Sequence, residues 1–451
     1  MPERDDASRA ASPNIVLVNC HDLGYGDVGC YGSTRHSTPA LDRMAAEGAR
    51  FTDFYMAAPC CSPSRAAMMT GCYPLRVGLE RGTRAGVLQW ADPIGLSGEE
   101  ITVAEILKDA GYATAIVGKW HCGDQPEFLP TRHGFDSWYG VPYSNDMGIS
   151  KVCPDAPPLP LMRNEEVVEQ QFDQAALTER YTAEAVRFIR ANRDRPFFLY
   201  FAHMYVHVPL YAPQRFLDQS RNGKYGAAVE HVDWCMAALF HELKRQGLDE
   251  RTLVIFTSDN GGVPQYGGSN APLRGKKGQQ WEGGFRVPCI MRWPDAIPSG
   301  AVCREVVTAM DFLPTLARLA GRDAPTDRRT DGKDILPLMT GAAGASSPHE
   351  AFFYYRGAGL NAVRAGDWKL HFPSGELYNL REDVGETTDV ASENPDVVKD
   401  LSRRADAMRA DLGDQLANIA GANRRPAGRV ADPKPLTEYD PEHPYMVAMY
   451  D

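Results

Sequence analysis

Short runs of β-branched and aromatic residues alternate with amphipathic stretches along most of this chain, and four of the runs end in polar segments able to do chemistry. That alternation describes an α/β sheet with helices on both faces. Strands are expected at 14–18, 113–117, 197–201 and 252–257, and helices at 38–47, 102–110, 174–191 and 224–245. The strands lead into Cys20-His21-Asp22, Lys119-Trp120-His121, a segment carrying His203 and His207, and Ser258-Asp259-Asn260. Open α/β sheets bind ligands beyond the carboxyl ends of their strands, so these four segments are expected to share one site.

At 451 residues the chain is too long for one simple core. A catalytic α/β domain is expected over 13–340. Beyond it the grammar changes to short strands at 352–356, 361–364, 368–372 and 376–378, then an amphipathic helix at 396–412. This predicts a smaller C-terminal domain of antiparallel sheet plus helix over 341–421. A tail over 422–451, rich in Pro, Arg and Asp to residue 440, is expected to lie on the surface or to exchange with a neighbouring subunit. The net charge of −11 argues against a nucleic-acid partner, which needs clustered Lys and Arg. No apolar run reaches the roughly eighteen residues of a membrane helix. The acidic N-terminus has no apolar leader, which points to the cytoplasm, or to the periplasm or exterior if a leader has been removed. Ten cysteines without paired C-x-x-C spacing read as mostly buried free thiols.

Cys61-Ser62-Pro63-Ser64-Arg65, followed by Ala66 to Gly71, places a cysteine just before a helix that Pro63 is suited to start. Backbone donors and the positive end of the helix dipole would lower the Cys61 thiol pKa, whereas the plain alternative is a small packed hydrophobe. Asp22 and the Asp259-Asn260 pair offer hard oxygen ligands at two strand ends, although each would also suit a turn. Arg65, Lys119 and Lys277 supply positive charge, and His121 and His207 are titratable near neutral pH.

These residues carry a resemblance. Cys61 to Arg65 with Thr70-Gly71 resembles the C-x-P-S-R signature of the type I, formylglycine-dependent sulfatases, in the alkaline phosphatase superfamily. Asp22-Leu23-Gly24-Tyr25-Gly26-Asp27 resembles their metal loop, Gly118 to His121 their G-K-W-H segment, and 275–284 their G-K-G-x-x-x-E-G-G segment. Residues 139–148 resemble the arylsulfatase and N-acetylgalactosamine-sulfatase branch, and the likeness runs from about Pro13 to Asp389, through Asp367-Trp368-Lys369-Leu370 and 376–380. It implies an alkaline phosphatase-like fold, a large mixed sheet between helices.

The resemblance also implies a mechanism. A separate formylglycine-generating enzyme oxidises Cys61, and one hydroxyl of the resulting hydrate, held on a divalent metal, attacks sulfur while His207 protonates the leaving alcohol. The second hydroxyl, deprotonated by a base such as His121, then expels sulfate. Lys119, Lys277 and Ser144 lie on the sulfate, with Arg65 beside the nucleophile; Asp22, Asp259, Asn260 and residue 61 hold the metal, expected to be calcium, with magnesium or manganese as alternatives. His21 stands where the family usually has the first of two aspartates, so it either ligates through nitrogen, favouring manganese or another borderline ion, or turns away. Met69, Cys72 and Cys60 are further departures from the usual pattern. The substrate implied is an aryl or carbohydrate O-sulfate, its alcohol half meeting residues 81–90, 147–166 and 211–221, with Arg356 and His371 from the small domain. Two other readings are a phosphonate monoester or phosphodiester hydrolase of the same superfamily and a non-catalytic binder of sulfated glycans. The 139–148 segment argues against the first, and the full set of catalytic side chains against the second. A homo-oligomer is left open.

Overall fold

A computed structural model describes residues 12–150, 153–443 and 445. The N-terminal residues from which the absence of a leader was read, and Lys151 and Val152 of the 147–166 stretch, lie outside these. Ten strands form one mixed sheet, in the order 301–303, 49–51, 289–292, 252–258, 14–20, 197–202, 113–118, 137–140, 160–163 and 166–170. Asn14–Cys20 lies at its centre, parallel to Thr252–Ser258 on one side and Phe197–Ala202 on the other. Strands buried on both faces must be apolar throughout, which explains the run Ile15-Val16-Leu17-Val18.

Alternate side chains go to opposite cores. Ile15, Leu17, Phe198 and Tyr200 join one that includes the helices Cys61–Thr70, Val103–Asp109 and Phe312–Leu319. Val16, Val18, Phe197 and Leu199 join the other, under Pro39–Glu47, Leu177–Ala191 and Gly223–Arg245. Thr102 and Glu105 form a capping box that starts the helix Val103–Asp109.

Four antiparallel strands, Phe352–Arg356, Gly359–Ala365, Trp368–His371 and Leu377–Asn379, make a separate sheet, and the helix Pro395–Leu412 packs on it. Its core continues into the main unit through Tyr55, Ala67 and Phe285. At the join, buried Glu282 accepts hydrogen bonds from Tyr55 and Tyr354, while Lys369 Nζ lies 2.9 Å from Glu282 and 2.8 Å from Glu386.

The tail returns to its own chain. Gly428–Arg429 pairs with Ile94–Gly95, Arg425 clasps Glu100 at 2.6 Å, and Thr437 donates to Pro158 O. Nothing about these contacts requires exchange with a neighbour. Among the described residues no helix is long and apolar enough to cross a membrane.

Candidate active site

The carboxyl ends of the central strands deliver the polar segments to one place. Asn14–Cys20 runs into His21 and Asp22, and Thr252–Ser258 into Asp259 and Asn260, all fully or almost fully buried. The third strand turns at Gly118, whose φ of +117° and distance of 1.8 Å from a hypothetical Cβ to Ala202 O leave room for glycine alone. That turn directs Lys119 and His121 into the same space. Asp22 and His121 themselves sit at φ of 61° and 64°, left-handed conformations that the surrounding structure must hold.

The helix that carries Cys61 starts at that residue, two residues earlier than the proline suggested. Pro63 is accommodated because the first-turn N–H groups have no intrahelical acceptor. Ser64 N donates to Cys60 O at 3.1 Å, and Gly71 closes the helix in the left-handed region. The expected drop in the Cys61 pKa does not occur: burial pushes the thiol up and outweighs Lys119 and Lys277.

His21 turns inward. Its Nε2 lies 2.7 Å from Cys61 Sγ, 3.0 Å from Lys119 Nζ, 3.5 Å from Asp22 Oδ1 and 4.0 Å from Asp259 Oδ2. One donor atom from each of His21, Asp22, Cys61 and Asp259 falls within 4.8 Å of the others, and all four residues are buried. Asn260 Nδ2 donates to Asp22 Oδ1 at 2.8 Å, while its Oδ1, also buried, has no partner among the described residues. An orphaned carbonyl oxygen beside two carboxylates and an imidazole fits a divalent cation.

Cations flank this cluster. Lys277 Nζ lies 2.8 Å from Asp22 Oδ2; burial disfavours its charge, but Asp22 and Cys61 more than compensate and hold its pKa above the ordinary value. Burial brings Lys119 down to about 8 despite Cys61. Arg65, expected beside the nucleophile, turns its guanidinium away from the cavity. It is fully buried, with Nε and Nη2 at 3.0 and 2.8 Å from Asp259 Oδ2 and Nη1 at 2.9 Å from Lys119 O, so it positions those two residues.

The histidines divide the proton-carrying positions. His121 Nε2 lies 2.9 Å from Leu88 O, an acceptor only, so the proton is on Nε2 and the buried, unpartnered Nδ1 is the free base. His207 Nδ1 faces Val208 O, leaving Nε2 3.8 Å from Asp22 Oδ2, and burial together with Lys277 brings its pKa to about 3. An anionic ester entering between these groups favours the imidazolium.

Cys61, His121, Ser144, His207 and Lys277 line a cavity of about 420 Å³, together with Trp90 and Asp146. Ser144 Oγ is buried and unpartnered among the described residues. His371 is not in this cavity: it is buried, 2.9 Å from Glu386 and packed at a tilt against Trp281, an internal member of the join between the two units. His203 is buried between Phe201 and Tyr205. The sequence reading passed over Asp146, which lies inside the quoted 139–148 segment, and Asn270. The amide of Asn270 ties Gly262 to Gly275 at 2.8 to 3.0 Å and so holds the Lys277 loop against the Asp259 loop. Neither residue has a spacing signal of its own.

The chain is similar to known proteins over most of its length. The sulfatase family profile matches residues 13–322, and the profile for the N-sulphoglucosamine sulphohydrolase C-terminal region matches 276–411. The chain is 41% identical over 378 residues to N-acetylgalactosamine-6-sulfatase of Canis lupus familiaris, covering 80% of this chain and 72% of the relative. Human arylsulfatase A is 41% identical over 389 residues, covering 80% and 75%. The crystal structure of Ps i-CgsB in complex with k-i-k-neocarrahexaose superposes with a TM-score of 0.79 at 31% identity, covering 91% of this chain and 95% of that one.

Proposed function

We infer the reaction from the family: this chain belongs to the sulfatases, and it is a sulfuric ester hydrolase with the alkaline phosphatase-type fold. We propose that it cleaves an aryl or carbohydrate O-sulfate to the alcohol and inorganic sulfate, with Cys61 oxidised to formylglycine by a separate maturing enzyme. The observation that carries this reading is the convergence of Cys61, His121, Ser144, His207 and Lys277 on one cavity above a buried acidic cluster. The thiol of Cys61 marks where residue 61 holds its nucleophilic atom.

The chain's own residues account for most of the work. Lys277, with Lys119 beside it, opposes the charge that develops on sulfate oxygens as the S–O bond breaks, in a buried setting where such charges act strongly. Ser144 Oγ offers them a further donor. His207 Nε2 is placed to hold the proton that the leaving oxygen needs, and His121 Nδ1 to take one from residue 61. Arg65 fixes Asp259 and the Lys119 backbone, and so the floor of the site. A divalent ion held by His21, Asp22, Asp259, Asn260 and residue 61 would polarise the nucleophile. The inward His21 nitrogen favours manganese or another borderline ion over the calcium that the family resemblance suggested.

The rival phosphonate or phosphodiester reaction asks for the same cations. Rates on a nitrophenyl sulfate and on a phenylphosphonate monoester separate the two. Higher kcat/KM on the sulfate is expected; a clear preference for the phosphonate would overturn the proposal.

A further inference from the structure

Beside the cavity that contains Cys61 lies a larger one of about 540 Å³. Three pairs of consecutive residues separate them: Cys60 and Gly278 face the larger cavity while Cys61 and Lys277 face the smaller, and Gly86 and Val87 divide in the same way. Gly278 N donates to Pro59 O at 2.8 Å, so the partition is a hydrogen-bonded layer about one residue thick.

The larger cavity opens between the main unit and the small C-terminal unit. Arg81 reaches it from the first and Arg356 from the second. Both are exposed, and among the described residues neither has an ion-pair or hydrogen-bond partner, in a chain where most arginines do. Glu80, the carboxylate in the lining, is already paired with Arg424 from the returning tail and leaves both guanidinium charges uncompensated. The walls add space rather than contacts, because a Cβ at Gly86, Gly278 or Gly357 would meet nothing within 4 Å. Two free guanidiniums facing one cavity match anions that can accept two parallel N–H bonds at once, such as sulfate or carboxylate. A small aryl sulfate bound over Cys61 would leave both unused.

We propose that this second cavity is a subsite for a further anionic group, held by Arg81 and Arg356 and carried on the same saccharide chain as the scissile sulfate. The inference rests on the sulfatase reading and narrows its substrate to a multiply anionic oligosaccharide.

The test measures inhibition of nitrophenyl sulfate hydrolysis by carrageenan-type disaccharides with one or two sulfates, and by a chondroitin sulfate disaccharide, whose second anion is a carboxylate. Titration calorimetry with the same probes runs alongside. At least one doubly anionic probe is expected to bind ten-fold or more tightly than the singly sulfated one, and which does so identifies the anion. Arg81→Gln with Arg356→Gln is expected to abolish that preference while leaving kcat/KM for nitrophenyl sulfate within about two-fold. No preference in the wild type, or a preference that survives the double substitution, would overturn the subsite. A wild type that fails to hydrolyse nitrophenyl sulfate would count against the sulfatase reading instead, and calorimetry would still decide the subsite.

Discussion

His21 Nε2 lies 2.7 Å from Cys61 Sγ, and the imidazole ring stacks on that of His207 with centroids 4.1 Å apart. A ring so placed cannot swing out without crossing His207 or Lys119, so its nitrogen stays within the cluster of Asp22, Cys61 and Asp259. The stack also joins His21 to the residue proposed to protonate the leaving group.

His21→Ala is therefore expected to lower metal affinity ten-fold or more, read as metal content by mass spectrometry after dialysis. His21→Asp is expected to retain metal but to shift preference from manganese toward calcium, because it replaces nitrogen by a hard oxygen. Unchanged preference in His21→Asp would remove His21 from the shell.

His207→Ala is expected to cost about 10²–10⁴ in kcat on alkyl or sugar sulfates, whose leaving oxygens need a proton. Nitrophenyl sulfate, with its stable leaving group, should suffer far less. A rate series over leaving groups checks this, and equal losses along the series would assign His207 another role.

Glu282 shows what the sequence made legible and what it concealed. It belongs to a motif read as catalytic, yet its carboxylate bonds Tyr55, Tyr354 and Lys369 and joins the two units. Lys369→Met would remove the cation that Glu282 and Glu386 share, leaving Arg286 at 3.4 Å from the first and His371 at 2.9 Å from the second, and is expected to destabilise the fold by about 2–3 kcal/mol. Urea unfolding measures it, and a change below about 1 kcal/mol would dismiss the clamp.

The strand-end chemistry was readable because a sheet buried on both faces requires continuous apolar runs, and Asp22, Lys119 and Asp259 break those runs where they end. Direction was not readable. Arg65 points into the protein toward Asp259, His371 toward Glu386, and burial reverses the expected shift at Cys61. Each outcome depends on which groups the fold stacks around the residue, information that local spacing does not contain. The tail's return over Ile94–Gly95 and Pro158 likewise rests on contacts between distant segments.

His133 supplies a pH test away from the cluster of His21, Asp22, Cys61 and Asp259. It is buried against Trp120 with both ring nitrogens unpartnered among the described residues, and burial brings its pKa down to about 4. The unfolded chain takes up a proton near the ordinary value of about 6.5, so this residue's contribution is complete above that pH and is lost as pH falls toward 4. His133→Phe is expected to reduce the stability lost between pH 7 and 5 by about 2 kcal/mol, measured by urea unfolding at both pH values. An identical loss in the variant would show that His133 does not titrate in this way.

The central claim is that residue 61, once matured, is the nucleophile of a sulfate ester hydrolase. The most direct measurement is the mass of the Cys61 peptide from protein produced with the maturing enzyme, paired with sulfate release from nitrophenyl sulfate by wild type and Cys61→Ala. The expected result is a formylglycine mass at residue 61 and no detectable release by Cys61→Ala. An unmodified thiol, with release indifferent to the substitution, would contradict it.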